Sequence, residues 1–414
     1  MADNLASIDG VLKRHYLDMV EDMLNNQKKM WSRFEKSSDG VQAFGSGFAT
    51  YIPTILGHNE AGIASRGEGG TLPVAGGLTT SQGVVPLTYL YGSLELSGQA
   101  IDASRRTDGA VERAVTLQME SMAKRFGVEF DRQIQGRGFG ALGQITAASA
   151  TPQTANVLFA VDDASRLAEG MIVEMWSTNA ASGGSQTAGT PTISRVDVIN
   201  NQIAFAAGQN ITQNDFIYRS GARGLTAMGI EGAIDGANSA GTQFYTTFQS
   251  IARNVSFAYQ AAVVDNGGSV IDLDLISIQR LLDAVNKLSG EDVSALWSDI
   301  DLQNSYIALL AADKRYVNTI ELDGGWKTIE YTSGGGSIPW FSNRQTLKNR
   351  LFAINEGSFT ICLGQDKATG WVKTPQEGVL QRRGTTDAYF GTMKSYWNLG
   401  CKQPNANGVL RDRR

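Results

Sequence analysis

The sequence has 414 residues, of which 42% are hydrophobic and 19% charged, with a formal net charge of -5. A chain of this length supports a sizeable core and more than one domain, and its apolar fraction excludes disorder as the starting assumption. Mild acidity excludes bulk attraction to nucleic acid, so any DNA contact needs a local patch.

Only two cysteines occur, Cys362 and Cys401, so no disulfide framework is expected, which fits a reducing cytoplasm. No apolar run marks a signal peptide at the N-terminus, and no window of about 18 apolar residues marks a membrane span.

Residues 1–36 carry a helical stripe, Leu5, Ile8, Leu12, Tyr16, Met19 and Met23, among nearly balanced charges. The plain reading is a surface helix. From Gly57 to Val85, eight of 29 residues are glycine. Such a segment is costly to order; it suits a flexible linker or a chain that orders only against a neighbour. Next comes an alternating stretch, Val84–Leu96. Tyr89, Tyr91, Ser93 and Glu95 fall on one face, and Leu90, Gly92, Leu94 and Leu96 on the other, a strand pattern. Asp108 can then cap a helix. Its stripe, Val111, Val115, Met119, Met122, Phe126, Phe130 and Ile134, steps by three and four. The body runs to about Gln135, and Gly136 stops it.

Gly138-Phe139-Gly140-Ala141-Leu142-Gly143 matches the dinucleotide fingerprint G-x-G-x-x-G. That fingerprint works between a strand and a helix. Here it follows a helix, and Gln144–Asn156 lacks helical periodicity, so a flexible turn is the better reading. Residues 146–222 offer short strand candidates at Met171–Trp176, Ile193–Ile199, Gln202–Phe205 and Asp215–Arg219, with Asn200-Asn201 as a hairpin turn. They suggest a small β-barrel or sandwich. Beyond Gly229, Ile271–Leu288 reads as a strong helix ended by Gly290, and Ile338–Phe341 and Leu351–Ile354 read as strands. The pattern is a mixed α/β body.

Candidate chemistry is sparse. The two histidines, His15 and His58, lie far apart in sequence. No zinc spacing, nucleophile elbow or phosphate loop occurs, so no catalytic, cofactor or metal residues are expected. Asp162–Asp163 and Glu291–Asp292 suit a solvated face. Arg105-Arg106 suits an intersubunit ion pair, a DNA-facing surface or a plain solvated pair. Trp326, Tyr331, Trp340, Tyr389, Tyr396 and Trp397 lack interleaved basic residues, so they read as core or subunit interface rather than stacking platforms.

The YLYGSLELSGQAIDAS strand, the helix after it, the closing FDRQIQGRGFGALG and the glycine-rich segment before them resemble tailed-phage major capsid proteins with the Hong Kong 97-like fold. IPWFSNRQTLKNRLFAINEGSF and YWNLGCKQPNANGVL add a weaker likeness. The resemblance implies an α+β fold: an N-terminal arm (1–56) lying on a neighbour, an extended β-hairpin loop (57–104), and a long spine helix with its following loop in a peripheral domain (105–145). It further implies an axial domain with peripheral segments (223–378), which meets its copies at fivefold and sixfold centres, and C-terminal peripheral strands (379–414). The minimal family pattern lacks the inserted β-rich module (146–222).

The implied function is a non-enzymatic major capsid protein that self-assembles, as hexamers and pentamers, into an icosahedral shell around double-stranded DNA. It implies a virion location after assembly in the host cytoplasm. Implied partners are other copies, DNA by non-specific contact, a separate scaffolding protein, a portal and a cement protein, and no membrane. Arg66, Tyr89, Tyr91, Glu95, Arg105 and Arg106 are the implied intersubunit contacts. Some relatives weld subunits through a loop lysine, but this sequence has none between Lys36 and Lys124, so noncovalent overlap is expected. The alternatives are a nanocompartment shell of the same fold and a dinucleotide-dependent enzyme resting on Gly138–Gly143 alone.

Overall fold

Two large sheets carry the body in the computed structural model, which describes residues 29–44, 47–98, 110–236, 245–312, 319–322, 326–333, 336–364, 369–372, 380–382 and 387–414. The first sheet is built on the long strand Ala388–Cys401. One of its edges pairs antiparallel with Thr88–Ser97; the other pairs with Phe359–Leu363, Thr369–Trp371 and Gln381–Arg382. Glu35–Ser37 adds in parallel to Phe359–Leu363.

The second sheet has the order Ala262–Val264, Gly408–Arg411, Arg350–Ile354, Ala295–Ser298, Gly336–Ser342, Trp326–Ser333, Thr319–Leu322. Successive residues of a strand point to opposite faces, and this sheet uses both. Leu296, Leu351, Ala353 and Leu410 meet the helices Leu275–Ser289 and Ile300–Ala312 through Ile278, Leu281, Val285, Leu302 and Tyr306. Ala295, Trp297, Phe352, Ile354 and Val409 turn the other way, into the core under the long helix Ala110–Ile134. The helix predicted near Ile271–Leu288 starts where the Asp274 carboxylate accepts the Ser277 N–H at 3.3 Å, and Gly290 closes it at φ 70°.

The long helix buries Met119, Phe126, Phe130 and Ile134, as its stripe predicts; Met122 is half-buried, and Ala123, outside the stripe, is buried beside them. Phe130 lies edge-on to Trp397 at 5.3 Å, and Phe126 and Leu94 share the same core. Thr88–Ser97 alternates as read from sequence: Tyr89, Tyr91, Ser93 and Glu95 are exposed, and Leu94 is buried. The Leu5–Met23 stripe, His15, Arg105, Arg106, the Asp108 cap and the side chains of Val111 and Val115 lie outside the described residues.

Several boundaries differ from the sequence reading. Residues 30–37, grouped there with an arm, are part of the body. In the short helix Lys29–Arg33 and the residue after it, Met30, Trp31 and Phe34 are buried, with Trp31 against Phe130 at 4.6 Å. The hairpin also begins earlier. Its outgoing strand is Gly47–Gly57, which pairs with Thr79–Pro86 from Ala49↔Pro86 to Gly57↔Thr79, while residues 58–78 form the tip. The stretch read as one strand, Val84–Leu96, is two. The first part ladders with Gly47–Gly57 as far as the Leu87 N–H, which donates to the Phe48 carbonyl at 2.8 Å, and Thr88–Ser97 then enters the body sheet. At the far end, the segment read as 379–414 serves both sheets: Ala388–Cys401 is the long strand of the first, and Gly408–Arg411 pairs with Arg350–Ile354 in the second.

The β-rich module starts at Ala141 and returns at Arg219. Its own core holds Leu142, Phe159, Val173, Met175, Ile193, Ile203, Phe205 and Ile217. Strands Val173–Trp176, Ile193–Asp197, Gln202–Phe205 and Phe216–Arg219 fall where the sequence places them, and Asn201 takes φ 51° in the turn. Gly138 and Gly140 adopt φ 83° and 88°, and Gly143 pairs with Ile217 inside the strand Ala141–Gln144. This G-x-G-x-x-G therefore runs from helix to strand. It offers no helix N-terminus to a pyrophosphate, which removes the structural basis of the dinucleotide reading.

Candidate assembly interface

The hairpin tip is exposed from end to end: not one of residues 58–78 is buried. Ile63, Leu72 and Val74 are 80%, 81% and 80% exposed. Backbone bonds within the tip are local, from Glu60 N–H to the His58 carbonyl, from Ile63 to Glu60 and from Gly70 to Gly67. Fixing a residue's backbone costs about 1–2 kcal/mol, and this tip buries no apolar side chain on its own body in return. Arg66 and His58 are both exposed here.

The root, by contrast, is tied down. Val84 N–H donates to the Gln249 carbonyl at 2.9 Å, and the Ser256 hydroxyl donates to the Leu56 carbonyl at 2.7 Å. A side chain at position 83 would press on Gln249 and Tyr259, at 3.0 and 3.2 Å, so Gly83 lets the hairpin lie close to the body. The paired strands are thus bonded to the body while the tip leaves an apolar end exposed.

A second exposed patch lies on the outer face of the first sheet. The structure brings Tyr89, Tyr91 and Glu95 together there, with Tyr396 and Lys394 from the neighbouring strand. Tyr89 and Tyr91 meet the Tyr396 ring edge-on at 4.8 and 6.1 Å, and the Lys394 ammonium sits 5.2 Å from it. A hydrogen bond with the Tyr396 hydroxyl, and then burial, pushes the Tyr91 phenol up to about 12. Arg66 is on a different element, and Arg105 and Arg106 lie outside the described residues. The sequence reading placed Tyr396 at core or interface without linking it to Tyr91, since the pairing register joins residues 305 apart.

Sequence reasoning missed the buried ion pairs where the body's pieces meet. Glu231, 1% exposed, is held by Arg137 at 2.7 Å and by Arg350. Burial alone would raise its pKa; the two guanidinium groups outweigh burial, and the net direction is down. Glu129 behaves alike, with burial overcome by Arg132 and Arg219. Asp235 pairs with Arg411 at 3.2 Å. Glu129 and Arg132 are one helical turn apart; the other partners are far apart in sequence, and only the fold brings them together.

An open cleft of about 580 Å³ borders the second sheet, lined by Asp272, Leu273, Asp299, Asp301, Lys348 and Arg414 among others. Burial pushes the Asp299 carboxyl up to about 6. Asp299 accepts the Leu302 N–H at the start of Ile300–Ala312, and Asp272 pairs with Arg414 at 2.9 Å, so these acids hold local structure. Among the described residues, no three His, Cys, Asp or Glu side chains group as a metal site, and no helix is long and apolar enough to cross a membrane.

No family model matches the chain, and no curated protein matches it. Solved structures do. The cyanophage A-1(L) capsid asymmetric unit aligns with a TM-score of 0.55 over 92% of this chain and 90% of that one, at 11% identity. The holo-SrpI encapsulin complex from Synechococcus elongatus PCC 7942 aligns with a TM-score of 0.46 over 93% and 88%, at 8% identity. The capsid of the native GTA particle aligns at 0.44 over 94% and 91%, at 10% identity. Aligned over nine-tenths of both chains in the first comparison, this chain has the mixed α+β fold of a phage capsid subunit.

Proposed function

We propose that this chain is the major capsid protein of a tailed bacteriophage. Copies assemble in the host cytoplasm as hexamers and pentamers of an icosahedral shell that encloses double-stranded DNA. The observation that carries this reading is the hairpin: a tip with three strongly exposed apolar residues, on a root bonded to a body with a capsid-subunit fold. A closed symmetric assembly covers such a tip on every copy, and many weak overlaps sum around it.

In this reading Ala110–Ile134 is the spine helix, the six-stranded sheet belongs to the peripheral domain and the seven-stranded sheet to the axial domain. Tyr89, Tyr91 and Glu95 face a neighbour, as do Arg66 on the tip and the Arg105-Arg106 pair. A separate scaffolding protein, a portal and a cement protein complete the head. DNA contact is non-specific, in keeping with a net charge of -5 that supplies no bulk attraction. The shell role is geometric and uses no catalytic group.

Electron microscopy of the expressed chain, alone and with its neighbouring gene products, tests the proposal. Closed icosahedral particles are expected, and particles from producing cells should protect double-stranded DNA from nuclease. Protein that stays monomeric in every combination overturns the shell. Shells that carry enzymes and no DNA would make it a nanocompartment.

A further inference from the structure

The inserted module is rooted at one place. Its first strand, Ala141–Gln144, follows the long helix, and its last, Phe216–Arg219, pairs with that first strand, so both connections leave side by side. A body held only there would pivot about its root. It is held elsewhere too. Arg166, 5% exposed, donates to the Gln345 carbonyl from Nε at 3.1 Å and from Nη2 at 2.6 Å. Ser165 Oγ donates to the Arg344 carbonyl at 3.1 Å, and Lys348 Nζ donates to Asn201 Oδ1 at 3.0 Å.

The segment that receives these contacts, 343–348, joins Gly336–Ser342 to Arg350–Ile354 inside the seven-stranded sheet. It also reaches the long helix. Asn343 Nδ2 donates to Asp131 Oδ2 at 2.5 Å, and the Thr346 hydroxyl donates to Gln135 Oε1. Thr346 and Gln135 are fully or almost fully buried, where water cannot substitute for a lost partner. Helix, module and sheet segment thus close a triangle, with the module root at one corner, Arg166 on Gln345 at the second, and Asp131–Gln135 against 343–346 at the third.

We infer that the inserted β-module is an intramolecular brace, which fixes the long helix against the seven-stranded sheet through Arg166 and the segment 343–348. Two bodies joined at one point can rock; three joined pairwise cannot. Arg166 suits the task because a planar guanidinium aims two donors at one carbonyl, which an ammonium does less well. If the shell reading holds, the braced angle sets how sharply neighbouring subunits curve, so the brace narrows the range of particle diameters. That step rests on the shell reading; the brace does not.

Hydrogen exchange on the purified full chain tests it. The Gln345 and Thr346 amides donate to Asn343, at 3.0 and 3.2 Å. In Arg166→Ala they should exchange roughly tenfold faster, as should the helix end 131–135, while module strands 173–176 and 203–205 keep wild-type rates. Arg166→Lys should fall between. Wild-type exchange at 343–348 in Arg166→Ala overturns the brace. If that variant gives no soluble protein, the Ser165→Ala/Lys348→Ala pair, which leaves the buried guanidinium in place, decides by the same amides: faster exchange supports the brace and unchanged exchange overturns it. Particle diameters, read separately, should spread more widely in the variants. An unchanged spread with faster exchange overturns the link to curvature alone. A wild-type chain that forms no particles overturns the shell reading while exchange still decides the brace.

Discussion

Phe126 rests on Gly92: a methyl group at position 92 would stand 2.4 Å from Phe126 Cε2 and 3.3 Å from Met122 Sδ. The absent side chain in the strand is thus the seat of an aromatic ring from the long helix. Gly92→Ala should cost about 1–3 kcal/mol through overpacking, and Phe126→Ala about 3–5 kcal/mol through the cavity it leaves. Urea midpoints measure both. In a Phe126→Leu background the Gly92→Ala penalty should shrink; a penalty that stays the same would mean the ring is not what fills that seat.

The tip should be dispensable for folding and needed for assembly. Deleting residues 60–77 keeps both paired strands and every root contact, so the variant should stay soluble with a wild-type melting temperature. It should sediment as a small species and give no closed particles by electron microscopy. Normal shells from this deletion would show that the tip is not an assembly element.

Covalent welding of subunits should be absent. No lysine lies between Lys36 and Lys124, and arginines such as Arg66 are poor nucleophiles. Both cysteines are buried, and burial pushes the Cys401 thiol up to about 12, which starves it of reactive thiolate. Particles boiled in detergent should run as one band near 44.4 kDa. A ladder of multiples would point to a crosslink made elsewhere in the chain.

Two buried acids should bend the pH profile of stability in opposite senses. Glu231 titrates below its ordinary range in the folded state, so its contribution is present above roughly pH 4 and is lost as pH falls through the folded value. Glu231→Gln, which strands two guanidinium groups, should cost about 3–5 kcal/mol near neutrality and flatten the loss in acid. Asp299 is raised to about 6, so its ionisation costs the fold as pH rises from its ordinary value near 4. Asp299→Asn keeps an oxygen for the Leu302 N–H and should gain on the wild type progressively from pH about 4, with the full gain reached by about 6. Denaturation midpoints across acid and neutral pH would expose either sign as wrong.

Periodicity made much of this fold legible. The stripe of the long helix, the alternation at Tyr89–Glu95 and the Asn201 turn all lie in local spacing, and each appears in the structure. Pairing between distant segments does not show in spacing. Gly47–Gly57 is an ordinary-looking segment whose strand partner is beyond a 21-residue tip, so the glycine-rich stretch drew the boundary instead. Trp31 and Phe34 looked like the tail of a polar helix because their cover, Phe130, Trp397 and Phe359, comes from elsewhere. Of the proposed contact residues, alternation sufficed for Tyr89, Tyr91 and Glu95; Tyr396 needed the register.

The place of Gly408–Arg411 has a bearing on biosynthesis. This strand sits between Ala262–Val264 and Arg350–Ile354, both made much earlier. Until residues 408–411 leave the ribosome, a nascent chain holds that sheet with a gap in it and with the facing edges of 262–264 and 350–354 unpaired. Such edges invite strangers. A message cut short before this point would yield subunits whose central sheet never closes, and these would be prey for chaperones and proteases. Synthesis through residue 411 thus becomes a condition for a sound subunit, a form of proofreading that requires no other factor.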